Sequence, residues 1–368
     1  MRKATPYCLV LLILVVVAAC KQSEATEPQV TPSQQALTRT AVPSPTPVSP
    51  SPSQQPTVHL PQDEAPHSSA TEWWYYTGHL KAQDGRRFGF ELTFFQVIRP
   101  GIPRALMAHF AVTDQQTGKF HYEERAGLAL DQQPPRGFRL SIESWSVSGA
   151  EGSDRLAAAN SQYAIDLSLK ATKPPVLHNG TGLVAFTADT TSYYYSRSRM
   201  EVTGTISVGG NTVAVEGLAW MDHQWGDFGP DQREGAGWDW FGLQMADGSD
   251  LMLSLLRGQD GEVDFRYGSF VDKGGNVRHL TAEDIEATPT RRWTSPRSGA
   301  TYPVVWQVKI KPLGLELQVD PVMDDQEFDA SRIAQVIYWE GEVAVNGTSD
   351  GRPASGEGYL EMTGYVPR

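Results

Sequence analysis

Apolar and polar residues alternate one for one through much of this 368-residue chain, and few folds accept that pattern. Phe88, Phe90, Leu92 and Phe94 alternate with Gly89, Glu91 and Thr93. Tyr163, Ile165, Leu167 and Leu169 alternate with Ala164, Asp166 and Ser168. The same holds for Val304, Trp306, Val308 and Ile310, and again for Leu315, Leu317 and Val319. A period of two sends alternate side chains to opposite faces of a strand. Turn pairs punctuate the runs: Asp84-Gly85, Gly209-Gly210-Asn211, Asp247-Gly248, Gly274-Gly275-Asn276 and Asn346-Gly347. Helical signals are weak, although Thr281 with Asp284 three residues on predicts a short capped turn. The pattern predicts an all-β, predominantly antiparallel chain.

The pattern is used twice. Trp74-Tyr75-Tyr76-Thr77-Gly78 and Trp238-Asp239-Trp240-Phe241-Gly242 share Trp, aromatic and Gly at alternate positions, each followed by an Asp-Gly turn. Glu216-Gly217-Leu218-Ala219-Trp220-Met221 is answered by Glu357-Gly358-Tyr359-Leu360-Glu361-Met362. Matches at both ends, in order, point to duplication. The expected organisation is two β domains, 59–232 and 233–368, joined near Pro230. Each is large enough for a closed barrel, which removes exposed edges; a pair of β-sandwiches is the structural alternative.

The first 58 residues are different material. Arg2 and Lys3 precede an apolar run from Leu9 to Val17, then Ala18, Ala19 and Cys20. A charged start, a short apolar stretch and small residues before a cleavage point describe a secretory signal. The run is shorter than the ~20 residues of a membrane-spanning helix. Val17-Ala18-Ala19-Cys20 resembles a lipobox, so 1–19 is read as a lipoprotein signal peptide and Cys20 as the lipidated first residue. Residues 20–58, rich in Pro, Ser, Thr and Gln, cannot bury enough apolar surface to order themselves and are read as a disordered tether. The expectation is an exported protein anchored through Cys20 to the cell membrane or outer membrane, facing periplasm or exterior. Cys8 leaves with the signal, so the anchored form has no thiol left for a disulfide, a metal or catalysis. Losing Arg2 and Lys3 takes the net charge from −12 to −14. With no basic cluster, this argues against nucleic acid as a partner.

Three clusters carry candidate chemistry. Asp222-His223-Gln224-Trp225 closes the first half, where the second half has neither acid nor histidine after Met362. A linker with Asp222 capping a turn and Trp225 plugging an interface is the plain reading; an acid–base site is the functional one. Glu72-Trp73-Trp74-Tyr75-Tyr76 puts two aromatics on each face of a strand, and Glu72, beside so much apolar surface, is a candidate proton donor. Closing a barrel brings its first and last strands together, so Glu72 and His223 are expected to meet. Asp239, between Trp238 and Trp240, is a third candidate acid, or a solvent-facing one. Trp73, Trp74, Tyr76, Trp225 and Trp240 are the expected ligand-binding aromatics. No G-x-S-x-G or His-Glu-x-x-His motif occurs, and no metal or cofactor is expected. The acidic run Asp320, Asp324, Asp325, Glu327 and Asp329 is read as a solvated loop.

Glu72-Trp73-Trp74-Tyr75, Asp222-His223-Gln224-Trp225-Gly226, Trp238-Asp239-Trp240 and Gly356-Glu357-Gly358-Tyr359-Leu360-Glu361-Met362-Thr363-Gly364-Tyr365 together resemble the AttH-like family over about residues 65–368. That family includes carotenoid 1,2-hydratases and exported proteins called predicted secreted hydrolases. The resemblance implies two tandem lipocalin-like antiparallel β-barrels. It also implies either binding of an apolar small molecule such as a lipid, isoprenoid or terpenoid, or acid-catalysed hydration of an alkene. The anchor is tested directly: Cys20→Ser should move the exported protein from the membrane to the soluble fraction, and continued membrane association of that variant would contradict lipidation at this residue.

Overall fold

The computed structural model describes residues 57–366, apart from 102, 130–131, 187–189 and 229–236. Cys20, the tether up to residue 56 and the junction near Pro230 therefore lie outside the described residues. Thr57 and Val58, read as the end of the tether, are instead fixed to the first sheet: Val58 N donates to the Thr181 carbonyl at 2.8 Å and its side chain is buried in the core.

The alternating runs form two antiparallel sheets. The first holds β1 (Thr71–Ala82), β2 (Arg87–Val97), β3 (Ala105–Asp114), β4 (Lys119–Leu128), β5 (Phe138–Ile142), β6 (Trp145–Ala150), β7 (Ser153–Ala159), β8 (Tyr163–Ala171), β9 (Val176–Leu177), β10 (Leu183–Ala185), β11 (Thr191–Val208) and β12 (Asn211–Gly226). Its order is β4-β3-β2-β1-β12-β11-β8-β7-β6-β5, with β9 and β10 also on β11. The end strands β4 and β5 come together without a hydrogen-bonded ladder, giving a nearly closed barrel. Arg125 of β4 crosses this seam, its guanidinium 4.3 Å over the Trp145 ring and bonded to the Ala159 carbonyl.

The second sheet holds β13 (Gly237–Met245), β14 (Asp250–Arg257), β15 (Val263–Val271), β16 (Val277–Leu280), β17 (Ile285–Thr294), β18 (Thr301–Ile310), β19 (Leu315–Pro321), β20 (Glu327–Ala330), β21 (Val336–Ser349) and β22 (Arg352–Met362). Its order is β16-β15-β14-β13-β22-β21-β19-β18-β17. Both sheets thus wind the same way, with the first strand between the second and the last. The end motif is a true repeat: Met221 and Met362 both enter inner cores. A Cβ on Gly217 would lie 1.8 Å from the His79 carbonyl oxygen, and one on Gly358 2.3 Å from that of Gly242, so both last strands press on their first strands where only glycine fits. The start motif is not in register. Trp74 and Tyr76 point into the barrel, while Trp238 and Trp240 point out of the second sheet. Composition repeats there, but the facing does not.

Each core follows from the alternation. Trp74, Tyr76, Phe88, Phe90, Phe94, Phe110 and Trp145 are fully buried inside the first sheet, each ring contributing about 1.5–3 kcal/mol of apolar burial. Val304, Trp306, Val308, Ile310, Leu315, Leu317 and Val319 fill the second. The turn after β16 carries the expected capping box between Thr281 and Asp284. The acidic run is held by arginines, with Arg291 on Asp324 and Arg297 on Asp325, and Ser295 and Ser298 on Glu327.

The outer faces pack on one another. Tyr75, Tyr194, Trp220, Trp240, Met252 and Tyr359 form an apolar cluster drawn from both sheets. Around it the contacts are polar. Asp250 of β14, fully buried, takes Lys173 Nζ at 2.7 Å, Arg199 Nε at 2.9 Å and the Ser198 hydroxyl at 2.9 Å, all from the first half. Removing one member of a buried ion group strands the others and costs about 3–5 kcal/mol. Asp250→Ala should therefore lower stability by about that amount, and calorimetry of the wild type should show a single transition, because both sheets share this interface. Two separate transitions in the wild type would contradict that coupling.

Candidate functional site

On β1 the even-numbered residues face the barrel and the odd-numbered ones face the second sheet. On β12, paired with it antiparallel, Trp74 lies opposite His223 and Tyr75 opposite Asp222. Glu72, Trp74 and Tyr76 therefore share the barrel interior with His223 and Trp225. Trp73 and Tyr75 share the interface with Trp220 and Asp222. The single candidate site Asp222–Trp225 is split between two faces.

The barrel half is built on Glu72. Its side chain is fully buried at the end of β1. Oε1 takes His223 Nε2 at 2.7 Å and His67 Nδ1 at 2.7 Å. Oε2 accepts the His67 backbone N–H at 2.8 Å and Gln96 Nε2 at 2.9 Å. Glu72 and His223 thus meet as strand closure requires. Burial alone would raise the Glu72 carboxyl, but the bonds from His223 and His67 outweigh it and hold the group below its ordinary value. His223 is pushed the same way: burial disfavours its cation more than Glu72 favours it, and it stays neutral below its ordinary value. Its ring stacks on Trp74 at 4.5 Å, with Trp225 4.8 Å away and the Tyr195 hydroxyl 3.3 Å from Nδ1.

His67, absent from the sequence candidates, completes the unit. It precedes β1, folds back over the barrel mouth and lies flat on Trp225 at 4.0 Å and 6°. Its side chain is 22% exposed, and Nε2 lies 3.7 Å from Asp63. Two buried polar atoms beside the unit, Trp74 Nε1 and Gln96 Oε1, have no hydrogen-bond partner. Such atoms cost about 1–3 kcal/mol each.

The interface half is a closed network. Asp222 accepts from Tyr194 at 2.6 Å, from Trp220 Nε1 at 2.7 Å and from Ser196. Burial raises it to about 6 against those bonds. His178 joins Ser196 at 2.7 Å to Ser269 of the second sheet at 2.9 Å, and burial pushes it down to about 3. Trp240 donates to Tyr194 at 3.0 Å. Asp239 stands apart, buried rather than facing solvent, raised by burial to about 6 and held by Tyr365 at 3.0 Å and Arg257 at 3.2 Å. The structure therefore brings Glu72, His223, Trp74 and Trp225 together, while Tyr76 shares the barrel interior but gives its hydroxyl to Asp154 at 2.8 Å. It places Asp222, Trp73 and Trp240 at the interface and Asp239 in a clasp on the C-terminal segment.

A model of the AttH-like family matches residues 51–365. Among solved structures, a protein described as an AttH from Nitrosomonas europaea is 33% identical, with a TM-score of 0.77 over 86% of this chain and 99% of that one. Kievitone hydratase from Nectria haematococca is 18% identical, with a TM-score of 0.68 over 84% of this chain and 93% of that one, a likeness of fold. No curated protein matches.

Proposed function

This chain belongs to the AttH-like family, and from that premise we propose that it is a hydratase-type protein whose Glu72–His67–His223 unit moves the protons of water addition to an alkene on an apolar, isoprenoid-like substrate. One observation carries the reading: a single buried carboxylate oxygen accepts from two imidazoles, one sealed in the barrel and one at its mouth. Glu72 holds the proton of His67 on Nδ1, which leaves Nε2 as the atom that meets a substrate. Protonated His67 gives its Nε2 proton to the less substituted alkene carbon. This leaves a tertiary cation at the more substituted carbon. Water adds to the cation, and its surplus proton returns to His67 Nε2, so one water is consumed and the protein is regenerated.

Two further facts support this reading. Trp74, Tyr76, Phe88, Phe90 and Phe94 fill the barrel interior, which favours a substrate at the mouth over a carried ligand deep inside. A hydratase also shares the fold. Asp222 is the weaker donor candidate, because its oxygens already accept three bonds. A lipid on Cys20 and the tether after it would hold the site near a membrane, where apolar alkenes concentrate.

The test is mass spectrometry of linear isoprenoids and terpenoids incubated with the protein in heavy-oxygen water. The expected product carries one added water bearing the label. His67→Ala, at a partly exposed position, should keep its fold and lose about 10²–10⁴ in rate, as for removal of a general acid. Undiminished turnover in His67→Ala would contradict the assignment, as would failure of the wild type to hydrate any of these alkenes.

A further inference from the structure

His79 stands seven residues after Glu72 on β1, about 23 Å along the strand at ~3.3 Å per residue. It is on the face that meets the second sheet and is buried there. Its Nδ1 lies 2.7 Å from Glu342 Oε1 of β21, and Gln115 Nε2 donates to the same oxygen at 2.9 Å. The other oxygen, Glu342 Oε2, is buried with no hydrogen-bond partner, although the residue is only 1% exposed. A buried carboxylate oxygen without a donor calls for a specific cause, and a bound ion is one. The approach is made possible by Gly89, where a Cβ would fall 2.9 Å from that oxygen and 2.4 Å from the Tyr359 hydroxyl.

Glu357 of β22 completes the group. One ligand atom from each of His79, Glu342 and Glu357 lies within 4.8 Å of the others. Glu357 is partly exposed and ion-paired with Arg87. A groove of about 450 Å³ opens onto the group, lined among others by His79, Glu201, Glu216 and Glu357, with Lys81 and Arg87 as its cations. Counting Glu342 behind it, four carboxylates face two cationic side chains, so the groove draws positive charge.

We propose that His79, Glu342 and Glu357 bind one divalent first-row transition cation, zinc or manganese, which clasps the two sheets together. An imidazole with two carboxylates is the donor set of such ions, whereas calcium and magnesium favour oxygen alone. Bonds of about 2.0–2.2 Å need a short contraction of the trio and release of Glu357 from Arg87. The ligands come from both halves, so the ion stabilises the assembled pair of sheets by mass action.

Chelator-stripped protein titrated calorimetrically with zinc and with manganese chloride, and melted in their presence, tests this. One ion should bind per chain and raise the melting temperature, with magnesium ineffective. His79→Ala and Glu357→Gln should each weaken binding by at least about tenfold, the loss that even outer-shell changes produce. Arg87→Gln, which frees Glu357, should tighten it. Glu72→Gln removes a ligand from the other histidine–carboxylate group, His67–Glu72–His223, and should leave this stoichiometry unchanged. The proposal is overturned if stripped wild type binds neither ion, if either His79→Ala or Glu357→Gln binds undiminished, or if the ion is lost in Glu72→Gln instead.

Discussion

The antiparallel ladder between β1 and β12 is the constraint on which the rest depends. It fixes which side chain of each aromatic run faces in and which faces out, and a slip of one residue would exchange the two sets. In the observed register, Trp74 sits opposite His223 and Tyr75 opposite Asp222. That one fact builds two environments a strand's thickness apart: a carboxylate–imidazole unit among indoles inside the barrel, and an acid locked by hydroxyls and indole N–H between the sheets. Gly217, pressed against the His79 carbonyl, marks where the ladder admits no side chain.

The outward set makes the second sheet part of the first. Its interface is not a dry apolar seam. Burial and the nearby Glu361 carboxylate raise Glu91, opposed by its bond from Thr93, to about 8. The same causes raise Glu340 well above its ordinary value while Tyr75 donates to it at 2.7 Å. Groups raised on folding favour the folded state at low pH. Their contribution is fully present below the ordinary carboxylate range and is lost as pH rises toward about 8. His109 and His178, pushed down to about 3 by burial, work the other way: stability is lost as pH falls below the ordinary histidine value of 6.5. The interface is therefore bounded by acid on one side and by base on the other.

Much of this was legible in the sequence, because period-two alternation reads directly as facing. Phe88 through Phe94, Tyr163 through Leu169 and Val304 through Val319 all lie on the faces that their spacing predicts. The meeting of Glu72 with His223 followed from strand closure. What failed was local. Trp74 and Trp238 look like one motif, yet they point to opposite sides of their sheets, because a motif match carries no information on register. Asp222 and His223 are neighbours in sequence, and adjacent residues on a strand face opposite ways. His67 gave no signal at all: it lies in an aperiodic segment and reaches Glu72 by folding back. Tyr194 and Ser196 went unread in the sequence, although the alternate members of the run Tyr193-Tyr194-Tyr195-Ser196 share one face and both reach Asp222. The His79–Glu342–Glu357 trio spans 263 positions from His79 to Glu342 and could be found only in three dimensions.

The acid–base unit depends on the state of the imidazoles at Glu72, which nitrogen-15 NMR of the histidine side chains reads directly. The expected spectrum shows neutral His223 with its proton on Nε2 and shared with Glu72, and a titration displaced below pH 6.5 because burial disfavours the cation. In Glu72→Gln the Nδ1 and Nε2 shifts of both His67 and His223 should change together, since one carboxylate oxygen serves both. A His223 that titrates at its ordinary value, carries its proton on Nδ1 toward Tyr195, or keeps its shifts when Glu72 is replaced would contradict the acid–base unit at the centre of the reading.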